Sequence, residues 1–120
     1  MPRILLVDDD PAILRLLEVN FRMEGFDVDT AGHGEEALAA ASNATPDVVI
    51  LDLMMPGMDG REIYEGLRAA PETADVPVIF LSARGRDDAL AGLEAMYVQK
   101  PFDTVGLVET AKALVEGAAP

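Results

Sequence analysis

The chain has 120 residues, with 22 Asp and Glu against nine Lys and Arg, and a formal net charge of −13. That balance excludes direct binding to nucleic acid or to an anionic membrane surface, both of which draw their affinity from clustered basic side chains. Half of the residues are hydrophobic, none is Cys and no apolar run approaches a membrane span, so a folded cytoplasmic domain is expected, without disulfides, signal peptide or membrane anchor.

Ile4-Leu5-Leu6-Val7 is a branched apolar run that stops at Asp8-Asp9-Asp10, the pattern of a strand buried on both faces of a parallel sheet. Asp10-Pro11 reads as a helix start, with Asp as the cap and Pro at the first helical position. Ile13, Leu14, Leu17 and Phe21 then recur at helical spacing until Gly25 ends the run. Phe26 and Val28 alternate with Asp27 and Asp29, as on an edge strand. A second helix is predicted around Glu35 to Ser42, followed by a buried strand, Val48-Val49-Ile50-Leu51, that ends at Asp52. The turns Pro56-Gly57 and Asp59-Gly60 lead into a third helix near Arg61 to Ala70. Val78-Ile79-Phe80-Leu81 is the fourth strand, ended by Ser82. A helical stretch around Asp87 to Leu93 precedes the short strand Tyr97-Val98-Gln99, ended by Lys100-Pro101, and a last helix is predicted over Thr104 to Val115. Five strands alternating with five helices imply an α/β fold: a doubly wound parallel sheet with helices on both faces. One domain is expected across residues 1–120, its core over about 3–115 and a tail at 116–120.

The polar residues fall where the strands end. In an open α/β sheet, ligands bind outside the carboxyl ends of the strands, at the point where strand order reverses. With the first and third strands as neighbours there, Asp8, Asp9 and Asp52 share one pocket, while Asp10 serves as a helix cap. Three carboxylates at reduced dielectric repel one another and call for a cation. Oxygen-only ligation points to a hard ion, and a small cluster with room for water and a phosphoryl oxygen suits Mg²⁺. Lys100 brings a mobile positive charge from the adjacent strand. Three acids, a divalent metal and one lysine balance to zero, a pocket ready to accept a phosphoryl group.

At these residues the chain resembles the receiver domain of two-component response regulators, the CheY-like superfamily, from Arg3 to about Val115. Four stretches carry the likeness in the family's order. They are Ile4-Leu5-Leu6-Val7-Asp8-Asp9-Asp10, Asp52-Leu53-Met54-Met55-Pro56-Gly57-Met58-Asp59-Gly60, Pro77-Val78-Ile79-Phe80-Leu81-Ser82-Ala83 and Tyr97-Val98-Gln99-Lys100-Pro101-Phe102. The resemblance implies a flavodoxin-like sheet of order 2-1-3-4-5. It implies Asp52 as the phosphoacceptor, and Mg²⁺ held by Asp8, Asp9, Asp52 and the backbone carbonyl of Met54. Lys100 and the metal would stabilise the phosphoryl transition state. Ser82 would donate its hydroxyl to a phosphoryl oxygen, Tyr97 would be the aromatic whose rotamer follows, and Lys100-Pro101 would be cis. Met54 and Arg84 are expected to flank the path of attacking water and to tune dephosphorylation.

The function so implied is a phosphorylation-activated signalling switch rather than an enzyme. It would receive its phosphoryl group from a sensor histidine kinase or a histidine phosphotransfer protein. The face formed by the fourth helix, the fifth strand and the last helix would then control an effector or output domain, or support a homodimer. One departure bears on that face: 17 residues separate Ser82 from Lys100, about four fewer than receivers usually carry. Helix-to-strand connections of 2–6 residues are usual, and with Gly92 as the helix stop and Leu93 to Met96 as loop, the fourth helix is expected to be shortened, displaced or disordered. A Mg²⁺-dependent phosphatase with an aspartyl nucleophile is the rival chemistry, although such enzymes want a second acid where Met54 stands. A non-phosphorylated interaction module is the other rival. His33 is expected to be an exposed loop residue, and Met54, Met55 and Met58 to pack a loop rather than bind a soft metal.

Overall fold

The computed structural model describes residues 1–53, 55–82 and 96–117. Its five strands are β1 (Arg3–Val7), β2 (Asp27–Ala31), β3 (Val48–Asp52), β4 (Val78–Ser82) and β5 (Met96–Gln99). All neighbours pair in parallel in the order β2-β1-β3-β4-β5, as expected, so the chain reverses direction of growth between β1 and β3. Register sets Val7 beside Leu51, Asp52 beside Leu81 and Ser82 beside Gln99, which brings the polar ends of four strands to one edge.

Successive strand residues point to opposite faces, and each face has its own helices. Leu5, Val7, Val49, Leu51 and Phe80 pack with Ala37 and Ala41 of α2 (Gly34–Asn43) and Ile63 and Leu67 of α3 (Gly60–Ala69). Ile4, Leu6, Ile50, Ile79 and Leu81 pack with Leu17 and Phe21 of α1 (Pro11–Met23) and Leu107 and Ala111 of α4 (Thr104–Val115). With both faces covered, the central strands are apolar at successive positions up to their polar ends, rather than at every second one.

The helix ends follow from short polar residues. The Asp10 carboxylate accepts from the Ala12 amide at 2.9 Å, and α1 stops before Gly25, whose φ of +90° disfavours any side chain. Phe21 and Phe26 meet edge to face across that stop, 5.1 Å between centroids. Asp59 and Glu62 form a capping box at α3, and Asp103 accepts from Val105 and Gly106 at α4. His33 is exposed, as expected, but it also caps α2, its Nδ1 accepting from the Glu36 amide at 3.4 Å. These caps start α2 and α3 one residue earlier than the apolar pattern suggests, at Gly34 and Gly60. The last helix spans Thr104–Val115 as expected. Met96, expected in a loop, is instead the first residue of β5, because it pairs with Ile79 and packs against the core on the α1 and α4 side.

Four helices are present among the described residues, none of them long and apolar enough to cross a membrane. The helix expected around Asp87 to Leu93, its shortening, and Arg84 lie outside those residues.

Candidate functional site

Among the described residues four polar side chains are buried: Asp8, Asp52, Thr73 and Ser82. Thr73 is a structural exception, its hydroxyl donating to the Leu67 carbonyl at 2.5 Å. The other three lie at or just beyond the ends of β1, β3 and β4. Burying a carboxylate is unfavourable unless something holds its charge, so Asp8, only 1% exposed, and Asp52, 5% exposed, need partners for their charge.

Oxygens of Asp8, Asp9 and Asp52 come within 4.8 Å of one another, with Asp9 on the exposed rim. Asp8 Oδ1 accepts from the Asp10 amide at 2.9 Å, and its Oδ2 lies 3.4 Å from Lys100 Nζ. The same ammonium lies 3.4 Å from Asp52 Oδ1. Burial works against the charged lysine, but Asp52 and Asp8 together outweigh it and hold the Lys100 pKa above its ordinary value. Three carboxylates facing one ammonium leave the cluster two negative charges in excess. The donors are all carboxylate oxygens, which fits a small hard divalent cation and gives no purchase to a soft one.

The backbone explains why these groups meet. Leu53 N–H donates to the Leu81 carbonyl at 3.0 Å, and Lys100 N–H donates to the Ser82 carbonyl at 2.8 Å. The end of β4 thus ties the residue after Asp52 to Lys100. The Lys100–Pro101 bond is cis, as expected. Behind Asp52, α3 begins so close that a Cβ on Gly60 would lie 2.8 Å from Leu53 Cα and 2.9 Å from the Asp52 carbonyl oxygen. Neither neighbour is a flexible side-chain tip, so only glycine fits.

Tyr97 is half-buried on β5, and its ring stacks on Phe80 with 5.7 Å between centroids and 18° between planes. Phe80 meets Tyr64 of α3 at 5.7 Å, and the Arg68 guanidinium lies over the Tyr64 ring at 4.6 Å. Asp8, Asp9, Asp52 and Lys100, all predicted from sequence, are therefore brought together. Ser82 and Tyr97 stand on the adjoining strands, and Met54 lies outside the described residues. Met55 and Met58 pack against the core on the α2 and α3 side, as expected. Sequence reading missed Gly60 and the Phe80 link. The Asp-Gly pair at 59–60 was visible as a turn, yet its tight fit against Asp52 depends on a tertiary approach.

A sheet of order 2-1-3-4-5 with carboxylates and a lysine gathered at its switch point defines a CheY-like signalling domain. The family model for the response regulator receiver domain matches residues 4–112, and the chain belongs to that family of phosphorylation-activated switches. The transcriptional regulatory protein PrrA of Mycobacterium tuberculosis is 48% identical over 118 residues, covering 95% of this chain and 50% of that protein. The phosphate regulon transcriptional regulatory protein PhoB of Rhizobium meliloti is 41% identical over 124 residues, covering 100% of this chain and 55% of its own length. This chain thus spans about half the length of these relatives. Among solved structures, the chemotaxis protein CheY4 of Vibrio cholerae superposes with a TM-score of 0.88 at 30% identity, over 95% of this chain and 98% of that one.

Proposed function

We propose that Asp52 accepts a phosphoryl group from a sensor histidine kinase or a histidine phosphotransfer protein. The observation that carries this reading is the sharing of Lys100 between the buried carboxylates of Asp8 and Asp52, with Asp9 alongside. An Asp52 carboxylate oxygen attacks phosphorus, the bond from phosphorus to the donor imidazole nitrogen breaks, and an aspartyl phosphate forms. Mg²⁺ held by Asp8, Asp9 and Asp52, with the Met54 carbonyl as a further expected ligand, would neutralise charge on the transferring group. Lys100 Nζ, already beside Asp52, pairs with a phosphoryl oxygen. The Ser82 hydroxyl, at the end of the neighbouring strand, donates to another.

The new charge and its acceptor oxygens then bias a two-state element. Ser82 moves toward the phosphoryl group, Tyr97 leaves its present stacking for the space released, and the surface around β5 and α4 changes. The domain samples both arrangements, and phosphorylation shifts their populations. Each Asp52 takes one phosphoryl group, so the domain acts as a switch rather than as an enzyme on a free substrate. Its net charge of −13 disfavours direct contact with nucleic acid. We therefore place the output in a protein effector, an output domain or a homodimer formed through the β5 and α4 face, in the cytoplasm.

Intact-mass measurement after incubation with acetyl phosphate and Mg²⁺ tests the assignment. One added phosphoryl group in the wild type and none in Asp52→Asn is the expected result. An unmodified wild type would refute it, and burst turnover of a phosphate ester would favour a phosphatase instead.

A further inference from the structure

Gly34 opens α2 with an ordinary, not left-handed, φ, although glycine is the weakest ordinary helix former. What glycine supplies there is space. A Cβ on Gly34 would stand 2.5 Å from Met58 Sδ, 2.6 Å from Met58 Cβ and 2.8 Å from Met58 Cγ. Met58 belongs to the segment leading from Asp52 into α3, and its side chain seats on Gly34 and the adjoining core. A Sδ can swing away, but a Cβ moves only with its own backbone.

The helix start under Met58 is hydrogen-bonded within itself. Gly32 N–H donates to Glu36 Oε1 at 2.6 Å, Glu36 N–H to His33 Nδ1 at 3.4 Å, and Ala37 N–H to the His33 carbonyl at 3.0 Å. At the other end of the segment, Gly60 N–H donates to the Leu53 carbonyl at 3.0 Å, and a Cβ on Gly60 would meet the backbone of Leu53 and Asp52. Among the described residues that follow Asp52, Leu53 is therefore held against Gly60, and Met58 rests on the start of a helix from another part of the sequence. We propose that Gly34 and Met58 are positioning residues for phosphoryl acceptance. The N-terminus of α2 holds the segment after β3, and through it Asp52, in the orientation that transfer requires. This rests on the reading of Asp52 as the phosphoacceptor.

Three variants test it: Gly34→Ala, Met58→Gly and the double variant, which exchanges which partner carries the Cβ. Uptake of phosphoryl from acetyl phosphate with Mg²⁺ is followed by intact mass. Backbone amide signals of residues 52–60 are recorded by NMR without metal or donor, and thermal unfolding excludes global loss of structure. Misplacement by about 1 Å can slow a reaction by ~10²-fold, so Gly34→Ala is expected to slow uptake by roughly tenfold or more and to shift the amide signals of 52–60. Met58→Gly slows uptake less, and the double variant is faster than Gly34→Ala alone. A wild-type rate with unshifted signals in Gly34→Ala, or a double variant slower than Gly34→Ala, overturns the proposal. If Gly34→Ala does not fold, Met58→Gly decides, and a wild-type rate there overturns the proposal as well. A wild type that takes up no phosphoryl group would refute the role of Asp52 instead, and the amide signals alone would then show whether Gly34 bears on the segment.

Discussion

At the edge where the strands begin, Arg3 pairs with Asp29 at 2.9 Å, both side chains about one-third exposed, and the Arg3 amide donates to Asp47 at 2.8 Å. At the edge where the strands end, Asp8 and Asp52 are almost fully buried and share one ammonium at 3.4 Å each. In each place a basic side chain faces carboxylates, yet the first edge pairs one guanidinium with one carboxylate near water, and the second gathers three carboxylates around one ammonium, two of them buried. An exposed pair of the first kind contributes at most about 1 kcal/mol. A buried excess of the second kind is an arrangement that clusters at binding and catalytic sites.

The sharpest way to break this contrast is Asp52→Asn, which should abolish phosphoryl uptake while leaving the Arg3 edge untouched. Lys100→Met comes next. Loss of a charge aimed at the transition state costs about 10²–10³-fold in comparable sites, and uptake should fall by a similar order. Divalent-cation affinity measured by calorimetry without donor should rise, because the ammonium no longer competes for Asp8 and Asp52. Weaker affinity in that variant would show that the lysine organises the carboxylates rather than competing for them.

A pH effect follows with a smaller expected size. Lys100 has a raised pKa in the folded protein, so its pairing stabilises fully below the ordinary lysine value. That stability is lost as pH rises through the higher folded value. Thermal midpoints of the metal-free wild type should fall toward those of Lys100→Met above about pH 10.5, and parallel curves would contradict the pairing. Least affected is Arg3→Ala: at most about 1 kcal/mol in denaturant unfolding, with uptake unchanged.

Much of this was legible in the sequence because strand ends are abrupt. Asp8, Asp52 and Ser82 each follow an apolar run and Lys100 follows the short strand Tyr97-Val98-Gln99, and a parallel α/β sheet puts such residues on one edge whatever the loops do. The order of strands came from resemblance, since periodicity says which segments are strands but not which are neighbours. Two kinds of feature stayed hidden. Caps such as His33 and Asp59 move a helix start by one residue without altering the apolar pattern. Close approaches such as Gly60 on Leu53 across one loop, or Gly34 under Met58 from another element, arise only when the chain packs, and a glycine does not announce whether it supplies a turn or room. Met96 was misplaced for a related reason: its pairing with Ile79 is a tertiary fact, while locally it could extend a loop as well as open a strand.

The aromatic row Tyr64, Phe80, Tyr97 has an optical consequence. The chain contains no Trp and only two Tyr, and both lie against Phe80. Excited beyond the phenylalanine band, the protein's intrinsic emission therefore arises wholly from this row, one ring on α3 and one on β5. A turn of Tyr97 away from Phe80 would change the surroundings of half the emitters, so the molecule carries its own label at the strand that adjoins the site.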